Sequence, residues 1–187
     1  MINKNHLLYT LSILEGSLNA IDNKKISNDI INNKDKRRST NITESSHEDN
    51  NFPLSTDLKT IMDTMSNDFE KFTSTHTLYE AEYWGHIQEK NMSTNYHNHG
   101  NKGVSGVYYC QIPANSAKIV FMWKEDEDST PHRYSITPQE GKYILFPSYL
   151  YHCVPINELE TSRISISFNF NVKQIDKRYN RLNIESS

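Results

Sequence analysis

The sequence predicts a mainly β protein, a barrel or double-sheet jelly roll, with helices from the first third of the chain packed on one outer sheet. Three observations lead there. From Glu80 onward, strand-like runs with a period of two follow one another to the end of the chain. Before them lie amphipathic helical patterns whose apolar stripes need a surface to cover. No segment repeats, which excludes a propeller or a solenoid.

Taken in order, Leu7 to Leu14 is apolar enough for a short opening strand. Asn19 to Lys34 follows as a helix, with Ile21, Ile26, Ile30 and Ile31 at near-helical spacing. The polar stretch 37–52, RRSTNITESSHEDNNF, has no periodicity and is expected to be a mobile loop without chemistry. Ser55 or Thr56 can cap the next helix, in which Leu58, Ile61, Met62, Met65, Phe69 and Phe72 form one stripe, a core face. Strands are then expected over Glu80–Glu89, Val104–Pro113, Lys118–Lys124, Lys142–Phe146, Leu150–Val154 and Arg163–Val172.

The last of these is patterned most strictly. One parity carries Arg163, Ser165, Ser167, Asn169 and Asn171; the other carries Ile164, Ile166, Phe168, Phe170 and Val172. The polar face either meets water or lines a barrel cavity that holds a charged ligand, and on pattern alone both readings stand.

At 187 residues and 21.8 kDa the chain has the size of one domain. It divides into an N-terminal strand and helices over 1–75, a β core over 80–173 and a polar tail over 174–187. A net charge of -3 and a pI near 6.2 provide no basic field for nucleic acid. No apolar run is long enough to span a membrane, and Leu7–Leu14 runs into Glu15 without a cleavage pattern, so a cytoplasmic protein is expected. Cys110 and Cys153 form no CxxC pair and read as plain core residues of a reducing compartment.

Three features could carry chemistry. His97 and His99 form an H-x-H pair, and in an extended segment residues i and i+2 point the same way, so both imidazoles can reach one metal ion. The run Gly141-Lys-Tyr-Ile-Leu-Phe-Pro-Ser-Tyr-Leu-Tyr-His152 turns at Phe-Pro-Ser and delivers His152 on the returning strand, where a third ligand of a facial site can come from. Arg163 heads the polar-faced strand; buried there, it needs an anion, and its planar fork suits a carboxylate.

In this order, H-x-H, then V-S-G-V-Y-Y, then G-x4-F-P-S with histidine four residues on, then R-x-S-x-S-x-N, the chain resembles the 2-oxoglutarate and Fe(II)-dependent oxygenases. It is most similar to small members from bacteria and phages that are related to prolyl hydroxylases. The resemblance covers about Trp84 to Asn171. It implies a double-stranded β-helix, Fe(II), and 2-oxoglutarate as cosubstrate. It also implies use of O2, release of succinate and CO2, and hydroxylation of an unactivated C–H bond of an unidentified substrate. It implies further that His97 and His152 are metal ligands, that Arg163 holds the distal carboxylate of 2-oxoglutarate with Ser165 beside it, and that Tyr109 donates its hydroxyl to the same molecule. His99 stands where the common pattern has Asp or Glu. Either three neutral imidazoles bind iron and the dianionic cosubstrate balances the charge, which is the expectation, or His99 turns away.

His86 and His132 match no position of the pattern and read as ordinary surface or lumen histidines. Two rival readings are a cupin of other chemistry, since Pro147–His152 keeps P-x4-H spacing, and a non-catalytic binding jelly roll. Against the cupin, Gly100-Asn-Lys-Gly103 stands where its glutamate would follow H-x-H.

Overall fold

The structure, a computed structural model, describes residues 11–33, 38–39, 44–45, 55–73, 79–100, 103–125 and 127–172. Two sheets face each other. The larger contains β1 (Leu14–Ser17), β2 (Arg38–Ser39), β3 (Glu44–Ser45), β4 (Tyr79–Gln88), β6 (Gly103–Gln111), β9 (Lys142–Pro147) and β11 (Arg163–Val172), in the order β1-β9-β6-β11-β4-β3-β2. The smaller contains β5 (Thr94–His97), β7 (Ile119–Trp123), β8 (His132–Ile136) and β10 (Tyr151–Val154), in the order β5-β10-β7-β8. Every pairing is antiparallel. This is the double-stranded β-helix expected from the sequence.

Helices α1 (Asn23–Asn32) and α2 (Thr56–Thr73) cover the outer face of the large sheet. Asp22 caps α1 by accepting the amide of Lys25 at 2.9 Å, so the helix starts later than Asn19. Ile26 and Ile30 are buried, whereas Ile31 is left exposed. Ser55 caps α2, its hydroxyl accepting the amide of Leu58 at 3.2 Å. Leu58, Ile61, Met65 and Phe69 point inward and are fully buried. Beneath them lie Ile164, Ile166, Phe168 and Phe170 of β11, all at 0% exposure. Burial of side chains of this size contributes roughly 1.5–3 kcal/mol each.

Gly106 of β6 lies on this outer face, where an added Cβ would stand 2.6 Å from Met65 Cε and 3.0 Å from the carbonyl oxygen of Ile144. The absence of a side chain is what lets α2 approach. Gly141 has φ +79°, a left-handed turn conformation that reverses the chain into β9.

Several expectations need correction. The opening strand is Leu14–Ser17, paired with β9, rather than Leu7–Leu14; residues 7–10 lie outside the described residues. Within the stretch 37–52, β2 and β3 form short strands and β3 pairs with β4, while the rest lies outside the described residues, as do Phe72's side chain and the tail 174–187. Two strands have no counterpart in the expectations. β5 is only four residues long, and β8 is an edge strand exposed at four of its five positions, so neither shows an apolar period. Among the described residues no helix is long and apolar enough to cross a membrane.

The close approach at Gly106 makes a direct prediction. Gly106→Ala should lower the free energy of unfolding by about 1–3 kcal/mol through overpacking, measured by chemical denaturation, without altering the circular dichroism of the folded state.

Candidate metal centre and anion site

Alternation along each strand decides what faces the space between the sheets. In β11 the apolar parity lies under the helices, so Arg163, Ser165, Ser167 and Asn169 face inward, and Arg163, Ser165 and Asn169 are at most 7% exposed. The polar face therefore lines a lumen and does not meet water. Register then sets out the inner face of the large sheet in rows: Gln88 beside Arg163; His86, Ser165 and Tyr109; Trp84, Ser167 and Val107; Glu82, Asn169 and Ser105. On the small sheet, His97 of β5, His152 of β10 and Phe121 of β7 share one row.

The three histidines singled out in the sequence come together. Their ring centroids are 4.3 Å apart for His97 and His152, 5.0 Å for His97 and His99, and 5.2 Å for His99 and His152. One ring nitrogen from each lies within 4.8 Å of the others, a spacing that one metal ion can bridge. Nδ1 of His97 faces the carbonyl of Asn95 at 2.8 Å, and Nδ1 of His152 faces that of Leu150 at 2.9 Å. Carbonyls only accept, so both rings carry their proton on Nδ1 and keep the Nε2 lone pair for a metal. Burial, with the neighbouring His97, pushes the His152 pKa down to about 3, so this imidazole is neutral at ordinary pH. Among the described residues no carboxylate joins the group, and the glutamate that a cupin site would require has no counterpart in it.

A buried network fixes the position of His99. Ser148 accepts the backbone N–H of His99 on its carbonyl at 2.8 Å, and its own amide donates to the carbonyl of Gly103 at 3.0 Å. The Ser148 hydroxyl meets that of Ser105 at 2.9 Å, and Ser105 donates onward to Asn169 Oδ1 at 2.8 Å. Trp84 packs on the other side, its ring 5.8 Å from that of His99, and its indole N–H donates to His86 Nε2 at 2.6 Å. At the opposite end, Gln88 and Asn157 tie the β4–β5 turn to the β10–β11 connection through bonds of 2.9 and 3.0 Å.

Arg163 sits at that end, 4% exposed. Its Nη1 donates to the carbonyl of Ala117 at 2.9 Å, and among the described residues no carboxylate pairs with it. The guanidinium carbon lies 5.2 Å from the centroid of the Tyr109 ring. The Tyr109 hydroxyl is buried and makes no hydrogen bond of ordinary geometry. Burial pushes its pKa up to about 12, and the nearby Arg163 cation opposes that rise. Burial likewise lowers the pKa of Arg163, Tyr109 acting against it. At this end of the lumen the buried Arg163 guanidinium, with no carboxylate against it among the described residues, lies beside the buried Tyr109 hydroxyl.

Tyr108, the other half of the aromatic pair, points outward and donates its hydroxyl to Asn23 Oδ1 at 2.6 Å. His86 shares the cleft with the metal group. His132 lies on β8, stacked on Trp123 at 5.3 Å, with Glu125 3.5 Å away. Ser105, Ser148 and Trp84 escaped the sequence reading as site residues. Serines forty-three positions apart give no local signal of a shared hydrogen bond.

Residues 82–169 match the model of a protein family described as "Putative 2OG-Fe(II) oxygenase". The fold is similar to that of a prolyl-4-hydroxylase from Pseudomonas putida, at 14% identity and TM-score 0.66 over 87% of this chain and 94% of that one. It is also similar to a prolyl hydroxylase from Trichoplax adhaerens in complex with a hypoxia inducible factor peptide, at 13% identity and TM-score 0.59 over 92% and 86%. HygX from Streptomyces hygroscopicus, with nickel, 2-oxoglutarate and hygromycin B bound, matches at 10% identity and TM-score 0.63 over 88% and 84%. No curated protein sequence matches the chain.

The serine network is open to test. Ser105→Ala leaves Ser148 and Asn169 without their shared partner and should cost about 1–3 kcal/mol of stability, read as a lowered denaturation midpoint.

Proposed function

We propose that this chain, a 2OG-Fe(II) oxygenase by the family match over residues 82–169, holds Fe(II) with His97, His99 and His152 and binds 2-oxoglutarate against Arg163, Ser165 and Tyr109. The observation that carries the site assignment is the buried Arg163, unpaired with any described carboxylate, at the far end of the same lumen as a three-imidazole cluster.

The residues present fit both groups. Three converging imidazoles suit a divalent transition metal, and two of them are held by backbone carbonyls in the tautomer that ligation needs. Three neutral ligands leave the metal's charge uncompensated, which favours a dianionic cosubstrate. For that dianion Arg163 offers a planar fork. Tyr109 offers an O–H donor that its raised pKa keeps protonated. Ser165 stands directly across the strand from Tyr109 and adds a second hydroxyl.

Held by these residues, iron and 2-oxoglutarate would supply the chemistry of O2 reduction, with succinate and CO2 as co-products and an oxidant for a C–H bond of the substrate. The protein's own tasks are to fix the ligands, to orient the keto acid along the lumen, and to keep water out of the reacting centre. Phe121 and Phe146 serve the last task, their rings 6.1 and 4.8 Å from that of His152. The primary product is a hydroxylated substrate. Two free, buried cysteines fit a reducing cytoplasm.

Calorimetric titration of 2-oxoglutarate into the metal-loaded protein tests the assignment. Arg163→Ala should lose about 2–5 kcal/mol of cosubstrate binding, with metal affinity nearly unchanged; unchanged 2-oxoglutarate affinity removes Arg163 from the site. Tyr109→Phe should lose only about 0.5–1.5 kcal/mol. Tyr108→Phe, which alters the helix side of the sheet, should leave cosubstrate affinity as it is, and the reverse ranking would contradict the strand parity. His99→Asp restores two histidines and one carboxylate, so it should bind Fe(II) more tightly and 2-oxoglutarate more weakly, the added negative charge acting in opposite senses on the two ligands.

A further inference from the structure

On the side of the metal group away from Arg163, the inner face of the large sheet ends in residues that cosubstrate binding does not use. Asn169 is the first. It is 7% exposed, and its Oδ1 accepts from the hydroxyl of Ser105 at 2.8 Å. With the oxygen so engaged, the carboxamide is oriented, and among the described residues no partner takes its Nδ2 donors. Directly across the strand pair stands Glu82, on the same inner parity as Trp84, which packs against His99. Glu82 is partly buried, and no cation lies against it among the described residues. Cross-strand neighbours have Cβ atoms about 4.5–5.5 Å apart. An oriented N–H donor and a carboxylate acceptor thus stand side by side, one row outward from Trp84.

We propose that Glu82 and Asn169 read the primary substrate, and that the substrate presents an ammonium group next to a carbonyl, H3N+–CHR–C(=O)–. The ammonium binds the Glu82 carboxylate, and the carbonyl or carboxylate oxygen accepts from Asn169 Nδ2. This identification rests on the oxygenase reading above, since it is the metal group that makes this side of the lumen the substrate side.

The pair discriminates by chemistry that neither residue has alone. A neutral or anionic group placed at Glu82 leaves the carboxylate facing a like charge or an unmatched surface, whereas an ammonium forms a charge-assisted hydrogen bond. The rigid end of the site is Asn169, held through Ser105 and Ser148 to the turn that also positions His99. Substrate position and ligand position are therefore coupled through one hydrogen-bond chain. The same chemistry occurs in a free amino acid and at the N-terminus of a peptide.

The test is calorimetry on protein loaded with Ni(II) and 2-oxoglutarate, which binds without turnover, titrated with the proteinogenic amino acids, with tripeptides, and with the N-acetyl form of each. The expected result is saturable binding by at least one compound with a free α-amino group, weakened tenfold or more by N-acetylation and by Glu82→Gln, with Ni(II) and 2-oxoglutarate affinities unchanged in the variant. Binding confined to free amino acids or to tripeptides tells which source the site takes and supports the proposal in either case. Equal binding of acetylated and free forms, no effect of Glu82→Gln, or no binding by any compound while Ni(II) and 2-oxoglutarate still bind overturns it. Failure of Ni(II) and 2-oxoglutarate to bind at all sinks the oxygenase site assignment instead.

Discussion

The strict alternation of β11 is the constraint on which the rest of the molecule depends. Its apolar parity, Ile164, Ile166, Phe168 and Phe170, is pinned beneath α1 and α2 at zero exposure. A slip of one residue would expose all four and bury the polar parity under the helices, at a cost far above the net stability of a domain of this size. With that register fixed, Arg163, Ser165, Ser167 and Asn169 have nowhere to point but into the lumen. The hydrogen-bonded neighbours of β11 then set Tyr109 and Ser105 on one side of the polar row and His86, Trp84 and Glu82 on the other.

The lumen so formed is electrostatically unfinished. Taking a guanidinium out of water is expensive, and the single carbonyl of Ala117 does not compensate a full charge. Nearby buried polar side chains are matched: Gln88, Asn157, Ser105 and Ser148 all have partners. Within the lumen, the buried atoms short of a matching partner among the described residues include the Arg163 guanidinium and the Tyr109 hydroxyl. That contrast, with three converging imidazoles at the other end, is what favours the proposed reading of a dianion that also chelates a metal. The helices, which touch neither end, contribute by holding β11 in register.

Much of this was legible in the sequence because it is written in period-two patterns and short motifs. The two faces of β11, the H-x-H pair and the Phe-Pro-Ser turn before His152 are local signals, and the double-stranded β-helix follows from them together with the resemblance to the oxygenases. What pattern alone left open was whether the polar face of β11 meets solvent or a cavity; only the second sheet decides that. β8 escaped notice because an edge strand exposed from His132 to Ser135 need not alternate. The Asn169–Ser105–Ser148 chain escaped because it joins two strands and the turn after β9, its bonded residues 43 and 64 positions apart. The start of α1 was misplaced because the capping bond of Asp22 overrides the apolar spacing that begins at Ile21.

The central claim is that His97, His99 and His152 hold iron while 2-oxoglutarate chelates it. Its most direct measurement is the visible spectrum of the protein with Fe(II) and 2-oxoglutarate under strictly anaerobic conditions. A bidentate keto-acid chelate gives a metal-to-ligand charge-transfer band. The account predicts that band in the wild-type protein and its loss or strong weakening when any one of the three histidines is replaced by alanine. A full band in His99→Ala, with loss in His97→Ala and His152→Ala, would contradict ligation by three imidazoles, and no band in the wild-type protein would contradict the site as a whole.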